Sequence, residues 1–515
     1  MDSQKETGAS FFPEHGLGRW LLLLCIFAAA LGVRLYNADS PPMDFHPIRQ
    51  YRSYLLARAI YDAPPGTVSE SDRDIALAAK PALLEPPITE YIASFFYRIF
   101  GGESFIIPRS MSIVFWLIAG IFIYLLAKDL ISPDGGIISA AFFLFLPYAV
   151  RASRSFQPDP LMIMMFTASI FAVYKYYERP SGNRLAAACI VAAIAVLVKP
   201  VCLFPIFGAF FMTRIPERNI RKIFLSKDLY IFTAACVLPT LIYYGYGIYS
   251  AGMLKNQAGF TFMPELLKEP FFWKGWLKMI TRVVGLWPIA LSLIGIILLS
   301  TNTKRFFVIG LWAGYFIHGL YFTFHIHTHD YYQLILIPIV ALSLGQTAAV
   351  LLRNMTSAGA IWRTAVWFLF VISILFALRE SLLYLSDAGF AKEVKIYEEI
   401  GEKVNHSKNI LTLDKNYGNG LMYHGKVVGL EEQQWPVTYD LDFGNSINSK
   451  VKRGKELLDE IILDRSPEYF IVTYVTDYDL QSDLKEALDS GYDVIAQTPD
   501  YIIYDLRHEK NTGTH

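Results

Sequence analysis

The stretch PPMDFHPIRQYR (41–52) sets Asp44 among His46, Arg49 and Arg52, with prolines on both sides. A carboxylate held rigidly beside cations can serve as a general base. It can equally cap a helix HPIRQYRSYLLARAIY whose first turn takes Pro47. SRSFQPDP (153–160) follows Arg151 and carries Arg154 and Asp159. Its two arginines suit an anion, and Asp159 with Pro160 also reads as a helix start. VLVKPV leaves Lys199 between apolar runs, where an ammonium is costly unless paired or solvated. Glu85 precedes two prolines in an extended stretch, as a functional acid or as a solvated one. HIHTHDYYQ (325–333) offers His325, His327 and His329 at alternate positions, then Tyr331 and Tyr332. That spacing matches no known carboxylate–histidine ligand set, so no metal is indicated, and the tyrosines also suit membrane-interface anchors.

The elements that must position these residues are membrane helices. The 515 residues are 54% hydrophobic and 15% aromatic, with long apolar runs and short basic loops. A formal net charge of zero gives no reason to expect a nucleic-acid partner. The four cysteines, Cys25, Cys189, Cys202 and Cys236, all fall in apolar runs and read as small buried hydrophobes. Spans are expected near 19–36, 105–127, 134–151, 160–177, 184–198, 201–214, 229–248, 283–300, 305–324, 331–352 and 363–383, about eleven in all. The first resembles a signal peptide but, followed by so many others, reads as an uncleaved span.

Two stretches need separate treatment. Residues 184–213 are too long for one span, and arginines at both ends favour a hairpin turning at Lys199–Pro200. EPPITEYIASFFYRIFGG (85–102) is too short and too charged to cross, and reads as an amphipathic interfacial helix. Lysines and arginines collect in alternate loops (175–184, 214–227, 304–305, 353–363), which places the N-terminus in the cytoplasm. Asp44, Glu85, Arg154, Asp159, Lys199 and His329 then converge on the outer face. After residue 383 the apolar runs stop. NILTLD, EYFIVTYV, YDVIAQT and YIIYDLR alternate with helical stretches, an α/β pattern. The expected organisation is a membrane domain over 1–383, with a first outer loop at 37–104, and a soluble extracytoplasmic domain over 384–515.

Taken in order, MDFHPIRQY, EPPITEYIASFFYRIFGG, PRSMSIVFW, SRSFQPDPLM, VLVKPV and HDYYQLILIP resemble the GT-C superfamily of membrane glycosyltransferases over residues 19–350. The likeness is to the branch of protein O-mannosyltransferases and lipid A aminoarabinose or galacturonosyl transferases. That resemblance implies an inverting enzyme of the plasma membrane, taking a sugar from a polyprenyl-phosphate donor to a glycolipid, glycan or protein at the outer face. It makes Asp44 the catalytic base. Glu85, Asp159 and His46 would orient the acceptor, and Lys199, Arg154, Arg151, His329, Tyr331 and Tyr332 would hold the donor phosphate, with no cofactor. Phe45–His46 stands where the mannosyltransferases carry an acidic pair beside this aspartate, which weighs against a protein acceptor. The alternative is a lipid-linked-sugar flippase or transporter, which calls for buried acids and repeated halves that the sequence lacks. A membrane anchor for the C-terminal segment would need only one or two spans.

Overall fold

The computed structural model describes residues 10–13, 16–217, 219–250, 262–356, 359–386, 390–429, 434–447 and 452–510. Its contacts divide the chain into two units that interleave in sequence. One comprises residues 1–38, 83–89 and 108–386; the other comprises 39–82, 90–107 and 387–515.

The first unit is built from apolar helices. Among the described residues Leu17–Leu35, Ile106–Leu130, Lys227–Tyr249, Leu336–Met355 and the run beginning at Ala360 are long and apolar enough to cross a membrane. Pro270–Val283 and Leu286–Leu298 meet at 90° and add a sixth if they form one broken span. The shorter apolar helices are Pro133–Phe145, Gly182–Val198 and Pro200–Met212. Proline decides many of the breaks. It opens the helices Pro47–Asp62, Pro133–Phe145, Pro147–Ala152 and Pro158–Glu178, where its missing N–H costs nothing. Pro147 thus splits the apolar stretch expected as one span over 134–151.

These helices wear their apolar residues outward. Trp20, Leu24, Leu241, Ile242, Tyr249, Trp362 and Phe376 are all more than half exposed, a surface suited to lipid rather than water. Small residues bring the backbones together inside. Gly310 and Gly314 on the helix Asn302–Tyr321 lie against Gly208 and Phe204 on Leu203–Met212, so close that any Cβ would strike a backbone carbonyl. Trp116 stacks on Phe143 at 5.0 Å in the same interior.

The second unit holds a four-stranded sheet of order β1-β2-β4-β3, with β1 Ile410–Leu413, β2 Tyr469–Val472, β3 Tyr492–Gln497 and β4 Ile502–Glu509. β1 and β2 are parallel; β4 runs antiparallel to both β2 and β3. Three of these strands fall within the stretches expected from their alternation, and β4 runs two residues past its own, to Glu509. Leu411, Leu413, Phe470, Val472 and Tyr504 pack with Trp435, Leu458, Leu484 and Leu488 into its core.

Helix Pro47–Asp62 belongs to this unit and is fastened to its C-terminal part. Arg58 Nε donates to both carboxylate oxygens of Glu103 at 2.9 and 3.0 Å, and Nη1 donates to the Tyr423 carbonyl at 2.8 Å. The Tyr423 hydroxyl donates to Glu103 at 3.0 Å, and the Arg58 guanidinium lies 3.7 Å over its ring. Tyr51 and His424 are hydrogen-bonded at 2.9 Å. The helix Ile88–Phe100 buries Ala93 and Tyr97 and exposes Tyr91, Phe95 and Ile99, the amphipathic pattern expected of it.

Candidate active site

Helix Gly182–Val198 must stop at Lys199, because the residue before a proline is pushed out of the helical region. Lys199 is extended, with φ −156° and ψ 118°, and Pro200–Cys202 starts a new turn. The break falls where the sequence puts it. Lys199 Nζ donates to Asp159 Oδ1 at 2.8 Å, and side-chain exposures of 6% and 0% seal the pair from solvent. Such a pair survives burial because each charge answers the other. Asp159 does not start its helix: Gln157 is the N-cap and Pro158 takes the first position, which leaves the carboxylate free to turn to Lys199.

Aromatic rings cover the ammonium. Lys199 Nζ lies 4.9 Å from the Tyr331 ring and 5.2 Å from the Tyr332 ring, within cation–π range. His325 stacks on Tyr332 at 4.8 Å, and His329 lies 5.4 Å from Tyr331. On the other side His318 runs parallel to Tyr332 at 6.1 Å. His318 is fully buried, and neither of its ring nitrogens has a hydrogen-bond partner among the described residues. The structure therefore brings together Asp159, Lys199, His329, Tyr331 and Tyr332, and adds His318 and His325. An ammonium with one donor spent on a carboxylate keeps two for an anion.

The two arginines near this loop sit elsewhere. Arg154 donates to the carbonyls of Tyr36 and Asn37, both at 2.6 Å, and is buried. Arg109 reaches the Asn37 and Ala38 carbonyls at 3.1 and 3.3 Å, so two guanidiniums hold the turn that follows the first helix. Arg151 lies 3.7 Å over the Tyr384 ring and 5.4 Å from Tyr148. Glu85 is half-buried in this unit. Sequence reasoning passed over Asp330, which accepts from Tyr148 at 2.7 Å and pairs with Arg282 at 3.1 Å. Its signal was a lone carboxylate closing the histidine-rich stretch HIHTHD, next to an apolar helix.

Asp44 and His46 belong to the second unit. The N-cap of Pro47–Asp62 is His46, at φ +44°, and not Asp44. Asp44 is half-buried and accepts from Gln50 Nε2 at 3.3 Å. The same amide donates to the carbonyls of Phe45 at 2.6 Å and Pro42 at 3.2 Å, so one buried side chain ties down the whole loop. Gln50 carried no sequence signal, since glutamine one turn into a helix is ordinary. No group of three or more His, Cys, Asp or Glu among the described residues is arranged to hold a metal.

Comparison with known structures decides the architecture. ArnT from Cupriavidus metallidurans, bound to undecaprenyl phosphate, superposes with a TM-score of 0.58 at 12% identity, over 94% of this chain and 98% of that one. Its apo form gives 0.56 at 13% identity, over 94% and 97%. The chain has the fold of the GT-C membrane glycosyltransferases. The archaeal oligosaccharyltransferase AglB from Archaeoglobus fulgidus, in complex with an inhibitory peptide and a dolichol-phosphate, shares this GT-C fold. There the TM-score is 0.56 at 11% identity, over 94% of this chain and 74% of that one. Residues 84–243 match the family model described as Dolichyl-phosphate-mannose-protein mannosyltransferase. No curated protein matches by sequence. The matched stretch includes Glu85, Arg154, Asp159 and Lys199, which are thus carried on a GT-C frame.

Proposed function

We propose that the protein is an inverting glycosyltransferase that moves a sugar from a polyprenyl-phosphate donor to an acceptor at the outer face of the plasma membrane. The observation that carries this reading is the sealed Lys199–Asp159 pair under Tyr331 and Tyr332, set in a fold that ArnT presents with undecaprenyl phosphate bound. A phosphate is already a good leaving group, so the site needs an oriented nucleophile and a cation rather than a strong acid. Lys199 is the cation for the phosphate charge, with His329, Tyr331 and Tyr332 as further donors. Asp44 is the base that takes the acceptor proton as the sugar inverts. Glu85, Asp159 and His46 orient the acceptor or the cation.

In this reading the chain crosses the membrane about eleven times, with the short apolar helices and the helices Pro158–Glu178 and Asn302–Tyr321 counted among the spans. The N-terminus is cytoplasmic, and residues 384–515 form the extracytoplasmic domain. The acceptor is a glycolipid, a glycan or a protein. Membranes carrying the protein, incubated with a panel of radiolabelled polyprenyl-phosphate sugars, will pass label from at least one donor to a macromolecular or lipid acceptor. Failure of every donor would remove the reading.

A further inference from the structure

A cavity of about 390 Å³ lies within the second unit, and its lining is unlike that of a packing defect. Helix Pro47–Asp62 contributes Ile48 and Arg52, the stretch 78–82 contributes Lys80, and the loops after β1 contribute Tyr417, Gln434 and Asp440. Its size is that of a small-ligand site. Asp44 lies just ahead of Ile48 on the same chain segment, so the pocket flanks the loop that carries the proposed base.

Three features mark it as a place for hydroxyl-rich rings. Tyr417 is 40% exposed and stands at φ +51°, a left-handed conformation that a bulky residue avoids unless its surroundings enforce it. The enforcement is visible: Asp414 Oδ1 accepts the backbone N–H groups of Asn416 at 2.6 Å and Gly418 at 3.0 Å, gripping the turn on both sides of Tyr417. The Tyr417 hydroxyl donates to Asp440 at 2.9 Å, which fixes ring and carboxylate as one edge. Gln434 Oε1 is shielded from solvent and has no hydrogen-bond partner among the described residues. The next residue, Trp435, is held by its backbone N–H donating to the Thr412 carbonyl at 3.0 Å. A shielded acceptor without a donor suits a ligand hydroxyl. Arg52, which donates to the Ala82 carbonyl, and Lys80 set two basic side chains in the lining.

The geometry points to a saccharide-binding subsite in this cavity, which takes the sugar part of the acceptor with its ring on Tyr417 and its hydroxyls on Gln434 and Asp440. This deepens, and rests on, the glycosyl-transfer reading above. Acidic saccharides are preferred over neutral ones because of Arg52 and Lys80.

Saturation-transfer NMR on the full chain in lipid nanodiscs tests it, with maltose, diacetylchitobiose and a glucuronic-acid disaccharide as probes. Binding of at least one is expected in the wild type and in Asp44→Asn, strongest for the acidic probe. Tyr417→Asn keeps a residue that tolerates the left-handed backbone, and Gln434→Ala removes only the amide. Each is expected to weaken binding about tenfold or more, while Tyr417→Phe retains most of it. Binding of undecaprenyl phosphate stays unchanged in all three. Absence of binding at millimolar saccharide, or equal binding by Gln434→Ala and wild type, would overturn the subsite. If no donor supports transfer but saccharide binding still depends on Tyr417 and Gln434, the subsite stands and the transfer reading falls. If transfer proceeds and these variants bind as well as wild type, the subsite alone falls.

Discussion

Lys199 and Asp159 form an ion pair of 2.8 Å across 40 residues of sequence, sealed in an interior of apolar helices. Removing one partner strands the other. Lys199→Ala is expected to cost about 3–5 kcal/mol, while Lys199→Met combined with Asp159→Leu regains most of that. The double variant should fold and still fail to bind undecaprenyl phosphate. Unfolding temperature in detergent and lipid-phosphate binding separate the two effects; a Lys199→Ala protein as stable as wild type would refute the buried pair.

Arg154 is treated differently by the fold. Its two Nη groups each donate to a carbonyl at 2.6 Å, a fork that lysine cannot reproduce. Arg154→Lys is expected to lose about 1–3 kcal/mol of stability, because a buried ammonium in its place cannot make both bonds of the fork. Unchanged thermal unfolding in that variant would show the clamp to be dispensable.

The Gly310–Gly208 contact admits no side chain. Gly310→Val forces the helices Asn302–Tyr321 and Leu203–Met212 apart and is expected to cost at least about 1–3 kcal/mol. A wild-type unfolding temperature would mean that the two backbones are not in contact in the folded protein.

Two groups beside Arg58 make stability respond to pH in opposite directions. Burial, with Glu103 nearby, pushes the Asp62 carboxyl up to about 6. The folded state then binds a proton that the unfolded state gives up, so this group stabilises as pH falls from about 6 towards 4. Burial, with Arg58 nearby, lowers His424 to about 4. There the unfolded state takes the proton first, and stability is lost as pH falls from the ordinary histidine range towards 4. The two slopes oppose each other in the wild type. Asp62→Asn should therefore steepen acid destabilisation and His424→Gln should relieve it, measured by thermal unfolding across pH 4–7. Slopes that shift in the same direction would contradict the assignment.

Much of this fold was legible in the sequence. The strands of the C-terminal sheet announce themselves by β-branched and aromatic residues, and Lys199–Pro200 breaks its helix because proline leaves no alternative. The errors share one cause. Asp44 and Asp159 both looked like helix caps, but the helices open at Pro47 and at Pro158 rather than Pro160, which makes His46 and Gln157 the caps. That frees the carboxylates for other partners. Long-range contacts were beyond reach: nothing local in Arg154 points to Tyr36 and Asn37, nor in Arg58 to Tyr423, 365 residues away. Gln50 was missed because its three bonds go to a loop whose path the sequence does not define.

The central claim is that Asp44 takes the acceptor proton in transfer from a polyprenyl phosphate. Purified Asp44→Asn protein, given the radiolabelled donor that serves the wild type, tests it directly. Donor binding and unfolding temperature should match the wild type while transfer falls by about a hundredfold or more. Transfer at the wild-type rate in that variant would contradict the account.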